Sequence, residues 1–170
     1  MSKRGYVHLY VGDGKGKTTA ATGLAVRAVY SDYRVAFFLF MKGRYSAEVE
    51  ALIDLGALVD REWENDFCYK EPTLSQKYCV ASQAARVVKA FEKRFDMVIL
   101  DEILTAYSLG LISQDSVLKL IEAKPEDCEL ILTGREASAS MIERADLVTV
   151  CKKIKHYFDK GAAARKGIEF

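Results

Sequence analysis

The chain has 170 residues, half of them hydrophobic, and balances 25 Lys and Arg against 24 Asp and Glu for a formal net charge of +1. That balance gives no broad basic field for nucleic acid, and no apolar run approaches the roughly 20 residues needed to cross a bilayer. At this length about 70% of the unfolded surface can be buried in one core, so a single domain over residues 1–170 is expected. Met1-Ser2-Lys3-Arg4 leads into a half-alternating strand without the apolar core of a signal peptide, which points to a soluble, cytoplasmic chain. The four cysteines, Cys68, Cys79, Cys128 and Cys151, show no CxxC spacing and no His in ligand register. Neither a zinc site nor a disulfide framework is indicated, and Cys128 and Cys151 read as buried thiols.

In chain order, the first strand runs from Tyr6 to Val11, with His8 inside it as a core or face residue. Gly12 to Thr19 reads GDGKGKTT and is followed by the small helix formers Ala20 to Ala25. A second strand, Arg34 to Phe40, leads to Lys42, which either approaches a ligand or is a solvated strand-end lysine. Gly56 to Pro72 is the least regular stretch, a candidate substrate loop carrying Trp63, Phe67 and Tyr69. Thr73-Leu74-Ser75-Gln76 forms a capping box opening a helix with the stripe Val80, Ala84, Val88 and Phe91. The strand Met97 to Leu100 ends in Asp101 and Glu102, and Ser113 caps a helix through Val117, Leu120 and Ile121 that Pro125 stops. Strands Glu129 to Thr133 and Leu147 to Val150 follow, then a locally basic tail from Lys152 to Lys166. Strands alternating with helices predict an α/β fold whose mostly parallel sheet carries helices on both faces, and the apolar continuity of the strands predicts that they are buried.

Gly12 to Thr19 lies at a strand-to-helix turn, where a polyphosphate cradle belongs. Glycines let successive N–H groups point inward, the helix N-terminus adds partial positive charge, a lysine reaches phosphate oxygens and a Thr hydroxyl can ligate Mg²⁺. Four residues separate the first glycine from Gly-Lys-Ser/Thr in the Walker A pattern; here only Asp13-Gly14-Lys15 separate Gly12 from Gly16. A loop one residue shorter, with the additional Lys15, implies a tighter cup. Asp101 and Glu102 supply the carboxylate that a phosphate-binding α/β fold presents toward Mg²⁺ from a strand end beside the cradle, with alternation turning only one of them to the metal. Arg135, after Leu132-Thr133-Gly134 at a strand end, either contacts phosphate, the favoured reading, or pairs with a neighbouring acid.

Taken together, Gly12 to Ala21, Phe40-Met41-Lys42-Gly43, Leu100-Asp101-Glu102-Ile103, Leu132 to Arg135, Ala145 to Thr149, Lys155 to Asp159 and the ending Gly167-Ile168-Glu169-Phe170 resemble the P-loop type of ATP:corrinoid adenosyltransferases. The resemblance spans nearly the whole chain and includes the shortened loop. It implies a P-loop NTPase-like domain that transfers the 5′-deoxyadenosyl group of ATP to the cobalt of a reduced corrinoid and releases triphosphate. It further implies that Gly12, Asp13, Gly14, Lys15, Gly16, Lys17, Thr18, Thr19 and Arg135 bind ATP in reversed orientation. Thr18 and Glu102 then hold Mg²⁺, Lys17 and Glu102 serve the chemistry, and Trp63 and Phe67 either face the corrinoid or pack, as loop aromatics, onto the sheet. A homodimer and a cobalt-reducing flavoprotein partner are implied as well. His156 falls near the active site or a subunit contact. Val150 departs from the family, which more often has Glu there. Only Met1 to Gly5 precede the first strand, where many members carry an extension over the corrinoid. The Mg-phosphate machinery alone would also suit a nucleotide phosphohydrolase or small-molecule kinase, and a binding module without turnover is the third reading.

Overall fold

The computed structural model describes residues 4–43, 46–63 and 71–169. The order of elements is β1 (Val7–Val11), α1 (Lys17–Val29), β2 (Val35–Leu39), α2 (Ala47–Asp54), β3 (Leu58–Arg61), α3 (Leu74–Glu92), β4 (Met97–Asp101), α4 (Ile103–Ser108), α5 (Gln114–Glu122), β5 (Glu129–Thr133), α6 (Ala139–Arg144) and β6 (Leu147–Val150). A 3-10 turn at Tyr157–Lys160 follows in the tail. All strand pairs are parallel, in the order β3-β2-β4-β5-β1-β6. The expected α/β class is therefore observed.

Strand alternation divides the core in two. Val7, Leu9, Phe38, Val98, Leu100, Leu130 and Leu132 face α3, α4, α5 and α6 on one side. Phe37, Leu39, Met97, Ile99 and Ile131 face α1 and α2 on the other. The buried stripe of α1 consists of Ala21, Ala25 and Ala28, spaced for one helix face. Small side chains there let the helix lie close on the sheet.

The capping box is present, with Thr73 accepting from the Gln76 amide and the Gln76 side chain accepting from the Thr73 amide. The α3 stripe differs from expectation: Val88 is 40% exposed and Val87 is buried, with Val80, Gln83, Ala90 and Phe91. The reason is Gln83, a polar core residue whose Nε2 donates to the carbonyls of Leu39 and Asp60 and to the Asp60 carboxylate. A stripe drawn through apolar residues alone passes over it. Strand β3 and helix α2 were not expected. Leu-Val-Asp-Arg carries no apolar run, because β3 is an edge paired only with β2.

The expectation that every strand is buried fails at β6, whose four residues are all exposed. Among the described residues that strand has β1 on one side and no further strand on the other. Cys151 just beyond it is half-buried, contrary to the buried thiol expected. Cys128 is buried, and burial pushes its thiol up to about 12. A thiol so far from ionisation is a poor nucleophile. Iodoacetamide at about pH 8 is expected to leave Cys128 unmodified in the native protein and to label it after unfolding, as peptide mass spectrometry would read. Rapid labelling in the native state would show that the end of β5 is open to solvent.

Candidate active site

The loop after β1 is shaped by what lies beside it. Gly12 has φ +117°, and a Cβ there would stand 2.4 Å from the Cys151 carbonyl oxygen; at Gly14 the same contact would be 2.7 Å. The Gly12 N–H donates to the Arg135 carbonyl at 2.9 Å and the Gly14 N–H to the Cys151 carbonyl at 2.7 Å. The first half of the loop is thus fastened to the chain following β5 and β6, and only glycine fits so close to the latter. Gly16 has open space around it but a φ of +112°, so its constraint is conformational.

Helix α1 opens at Gly16 without a side-chain cap and without an acidic residue in its first turn. Its leading N–H groups and the positive end of its dipole are left for an external anion. Lys17 Nζ donates to the Gly14 carbonyl at 2.8 Å. The cleft in front has a volume of about 680 Å³ and is lined by Asp13 to Thr19, Thr22, Gly23, Lys42, Ala47, Glu48, Glu102, His156 and Gly167 to Glu169.

The end of β4 lies beside the cradle, as expected from the sequence, although β5 stands between β4 and β1 in the sheet: the Thr18 hydroxyl bonds Asp101 directly. Thr133 of β5 joins the same end of β4. Its hydroxyl donates to Asp101 Oδ1 at 2.7 Å and accepts the Glu102 N–H at 2.9 Å. Asp101 has no exposed surface. Its Oδ1 also accepts the Thr18 hydroxyl at 2.9 Å, and its Oδ2 accepts Lys42 Nζ at 3.0 Å. Glu102 leaves strand geometry altogether, with φ 63° and ψ 12° in the left-handed region, a conformation costing roughly 1 to 2 kcal/mol for a residue with a Cβ. That turn exposes Glu102 to the cleft, where its carboxylate accepts the Thr105 hydroxyl. One acid is buried behind Thr18 and the other faces the cavity.

Lys42 was read from sequence with two outcomes, and it lies in the cleft, 3.0 Å from Asp101 and 3.7 Å from Glu48. Burial disfavours its charge, but the Asp101 carboxylate, with Glu48 and Glu102, outweighs that and raises its pKa. The tail contributes more than its composition suggested. Asp13 Oδ1 accepts the Lys153 N–H, which holds its carboxyl below the usual range. Lys15 Nζ reaches Glu169, Tyr157 and the Ile168 carbonyl. His156 lines the cleft, its Nδ1 accepting the Phe158 amide.

Two candidates stand apart. The Arg135 side chain is exposed and is not among the residues lining the cleft; the loop uses its backbone carbonyl. Trp63 is buried in the core cluster and lines a second cavity of about 430 Å³ with Glu62, Gln76, Tyr78 and Cys79. Its Nε1 is buried without a hydrogen-bond partner among the described residues. Phe67 and Tyr69 lie outside the described residues. Asp101 as an organiser and Glu169 as a wall of the cleft escaped sequence reasoning, although the Thr18 and Asp101 residue types were a readable signal.

Substituting Gly14→Ala is expected to weaken binding of inorganic triphosphate by about tenfold or more, since strain of about 1 to 3 kcal/mol is forced into the loop, and the same strain lowers the melting temperature by about 2 to 4 °C per kcal/mol. Calorimetric titration checks this, and unchanged affinity would show that the loop tolerates displacement from Cys151.

Comparison with known proteins agrees with this geometry. The family model described as ATP:corrinoid adenosyltransferase BtuR/CobO/CobP matches residues 3–170. The chain is 32% identical to a corrinoid adenosyltransferase of Pseudomonas aeruginosa, over 99% of this chain and 85% of that one. It is 28% identical to the corrinoid adenosyltransferase of Escherichia coli K12 and 29% to the corrinoid adenosyltransferase CobA of Salmonella typhimurium, in each case over 100% of this chain and 88% of the relative.

Proposed function

The chain belongs to the ATP:corrinoid adenosyltransferase family, and we propose that the cleft before α1 holds the triphosphate of ATP while the 5′-deoxyadenosyl group passes to the cobalt of a reduced corrinoid. In that reaction the electron pair of reduced cobalt forms the bond to C5′, the C5′–O bond breaks, and triphosphate leaves with its electrons. Reduced cobalt is already a strong nucleophile, so no general base is needed. The protein's work is to orient C5′ and to neutralise charge on the leaving group.

The observation that carries this reading is the state of the loop cations and amides. Lys17 donates to a carbonyl, and the first turn of α1 has neither cap nor acid. In the proposal, Gly12, Asp13, Gly14, Lys15, Gly16, Lys17, Thr18 and Thr19 form the triphosphate cradle, with Lys17 the cation that stabilises the departing charge. Arg135 is assigned to its rim through the backbone that fixes Gly12.

Mg²⁺ is assigned to Thr18 and Glu102. Among the described residues no cluster of three His, Cys, Asp or Glu could hold a metal alone. That sparse donor set suits Mg²⁺, which takes most of its ligands from phosphate oxygens and water. The Thr18 hydroxyl donates its proton to Asp101, which leaves its lone pairs directed elsewhere. When bound, the ion neutralises charge on the phosphate oxygens.

On the corrinoid side the proposal assigns Trp63, on its unpartnered indole N–H, and Phe67, on sequence alone. A flavoprotein that reduces cobalt is assigned as the electron source. A homodimer is supported by the exposed apolar side chains Leu147, Val148 and Val150 on the edge strand β6. No helix among the described residues is long and apolar enough to cross a membrane.

Anaerobic incubation of the protein with cob(I)alamin and Mg-ATP should give the light-sensitive spectrum of an alkylated corrinoid and one equivalent of triphosphate by phosphorus NMR. Stoichiometric ADP without that spectrum would move the chain to kinase or phosphohydrolase chemistry. Lys17→Ala is expected to lower turnover by about 10² to 10³, the usual loss when one preorganised electrostatic contact is removed, with the fold retained. Glu102→Ala should weaken the dependence on Mg²⁺, and wild-type rates from either variant at saturating Mg-ATP would overturn its assigned role.

A further inference from the structure

Lys15 is the residue that most distinguishes this loop, yet its geometry differs from that of Lys17. A lysine ammonium has three N–H donors. At Lys15 all three have protein acceptors: the Tyr157 hydroxyl at 2.8 Å, the Ile168 carbonyl at 3.0 Å and Glu169 Oε1 at 2.7 Å. Among the described residues Lys17 has one acceptor, the Gly14 carbonyl.

The acceptors around Lys15 are themselves fixed. The Tyr157 hydroxyl bonds the Glu169 carboxylate, and Glu169 Oε2 accepts the Arg165 N–H at 2.7 Å. The Arg165 guanidinium carbon lies 4.8 Å from the centroid of the Tyr157 ring. Gly167 takes a φ of +76°, turning the chain so that Ile168 and Glu169 come back onto the cleft, which they line. The start of the same tail is joined to the same loop through Asp13 and Gly14. Lys15 thus closes a clasp whose other end is already fastened.

We propose that Lys15 is the anchor of a C-terminal strap, with Tyr157 and Glu169 as its positioning residues, and that this strap forms one wall of the nucleotide cleft. The charge of Lys15 is met by Glu169 and is not a phosphate contact, so that Lys15 belongs to the cradle through its backbone alone. This rests on the reading that the cleft binds the triphosphate of ATP, and it refines that reading by separating the two loop lysines: Lys17 serves the nucleotide, Lys15 the wall that encloses it.

The test is a double-mutant cycle on the full chain, with Lys15→Met, Glu169→Gln and the pair combined. Mg-ATP binding is measured by calorimetry without corrinoid, and tryptic cleavage after Arg165 and Lys166 is timed without nucleotide. The expected result is a similar loss for each single variant, about tenfold, with no further loss in the double, because residues acting as one unit are non-additive. Cleavage should accelerate in all three. Tyr157→Phe should show the same effects more weakly, and in Glu169→Gln the loss should fall on the KM for Mg-ATP more than on kcat. A loss for Lys15→Met far exceeding that for Glu169→Gln, with additivity in the double, would make Lys15 a phosphate ligand and overturn the proposal. So would tighter ATP binding by Glu169→Gln, which would mean that the carboxylate competes with phosphate, or unchanged binding in both singles. Failure of the wild-type chain to bind Mg-ATP would overturn the nucleotide reading itself, and unaltered tryptic rates would then overturn the strap as well.

Discussion

The cleft depends on one buried carboxylate. A carboxylate removed entirely from water is tolerated only when donors meet it, and Asp101 is met by Thr18 from α1, Thr133 from β5 and Lys42 from the end of β2. Four elements are thereby locked at one point, and each acquires its function from it. Thr18 has its hydroxyl proton directed away from the cavity, and Lys42 is drawn into the cleft. Thr133 holds the amide of Glu102, whose left-handed backbone turns the second acid outward. Breaking such a node by removing one partner commonly costs on the order of 3 to 5 kcal/mol, so the same contacts that shape the site also hold the sheet's carboxyl end together.

Much of this was legible in the sequence because the signals were local. Glycine at Gly12, Gly14 and Gly16, flanked by an apolar strand and small helix formers, marks a tight strand-to-helix turn, which the structure has, with Gly12 and Gly14 set against the Cys151 carbonyl. The capping box at Thr73 and the apolar β4 run ending in Asp101 and Glu102 are equally local. What could not be read were relations set by topology. Sequence order says nothing of β5 lying between β4 and β1, so it could not assign Thr133 its bridging role. Nor could it show that Gln83 is buried, since its partners, Leu39 and Asp60, are far away in the chain.

The tail is the instructive failure. A run rich in Lys and Arg reads as a solvated face, and the ending Gly167-Ile168-Glu169-Phe170 counted toward the family resemblance with no role assigned to Glu169. Its meaning comes from Lys15, some 150 residues earlier, and from a glycine turn that brings the chain back. Arg135 errs in the opposite direction: its guanidinium invited a phosphate role, whereas the structure uses its carbonyl to fix Gly12. Side-chain chemistry is what sequence displays, and backbone contacts are what it conceals.

The alanine face of α1 has a consequence for how the molecule can move. Ala21, Ala25 and Ala28 have no rotamers to rearrange and pack directly on a sheet whose inner residues are almost completely buried. The floor of the cleft is therefore stiff, and the first turn of α1 holds its aim whether or not a ligand is bound. Compliance is left to the outer edges of the sheet, β3 and β6, which among the described residues pair on one side only and where local opening is least costly. Two substrates as different as a nucleotide and a macrocycle can be accommodated in turn by such a division, in which a rigid seat fixes one and a yielding rim adjusts to the other.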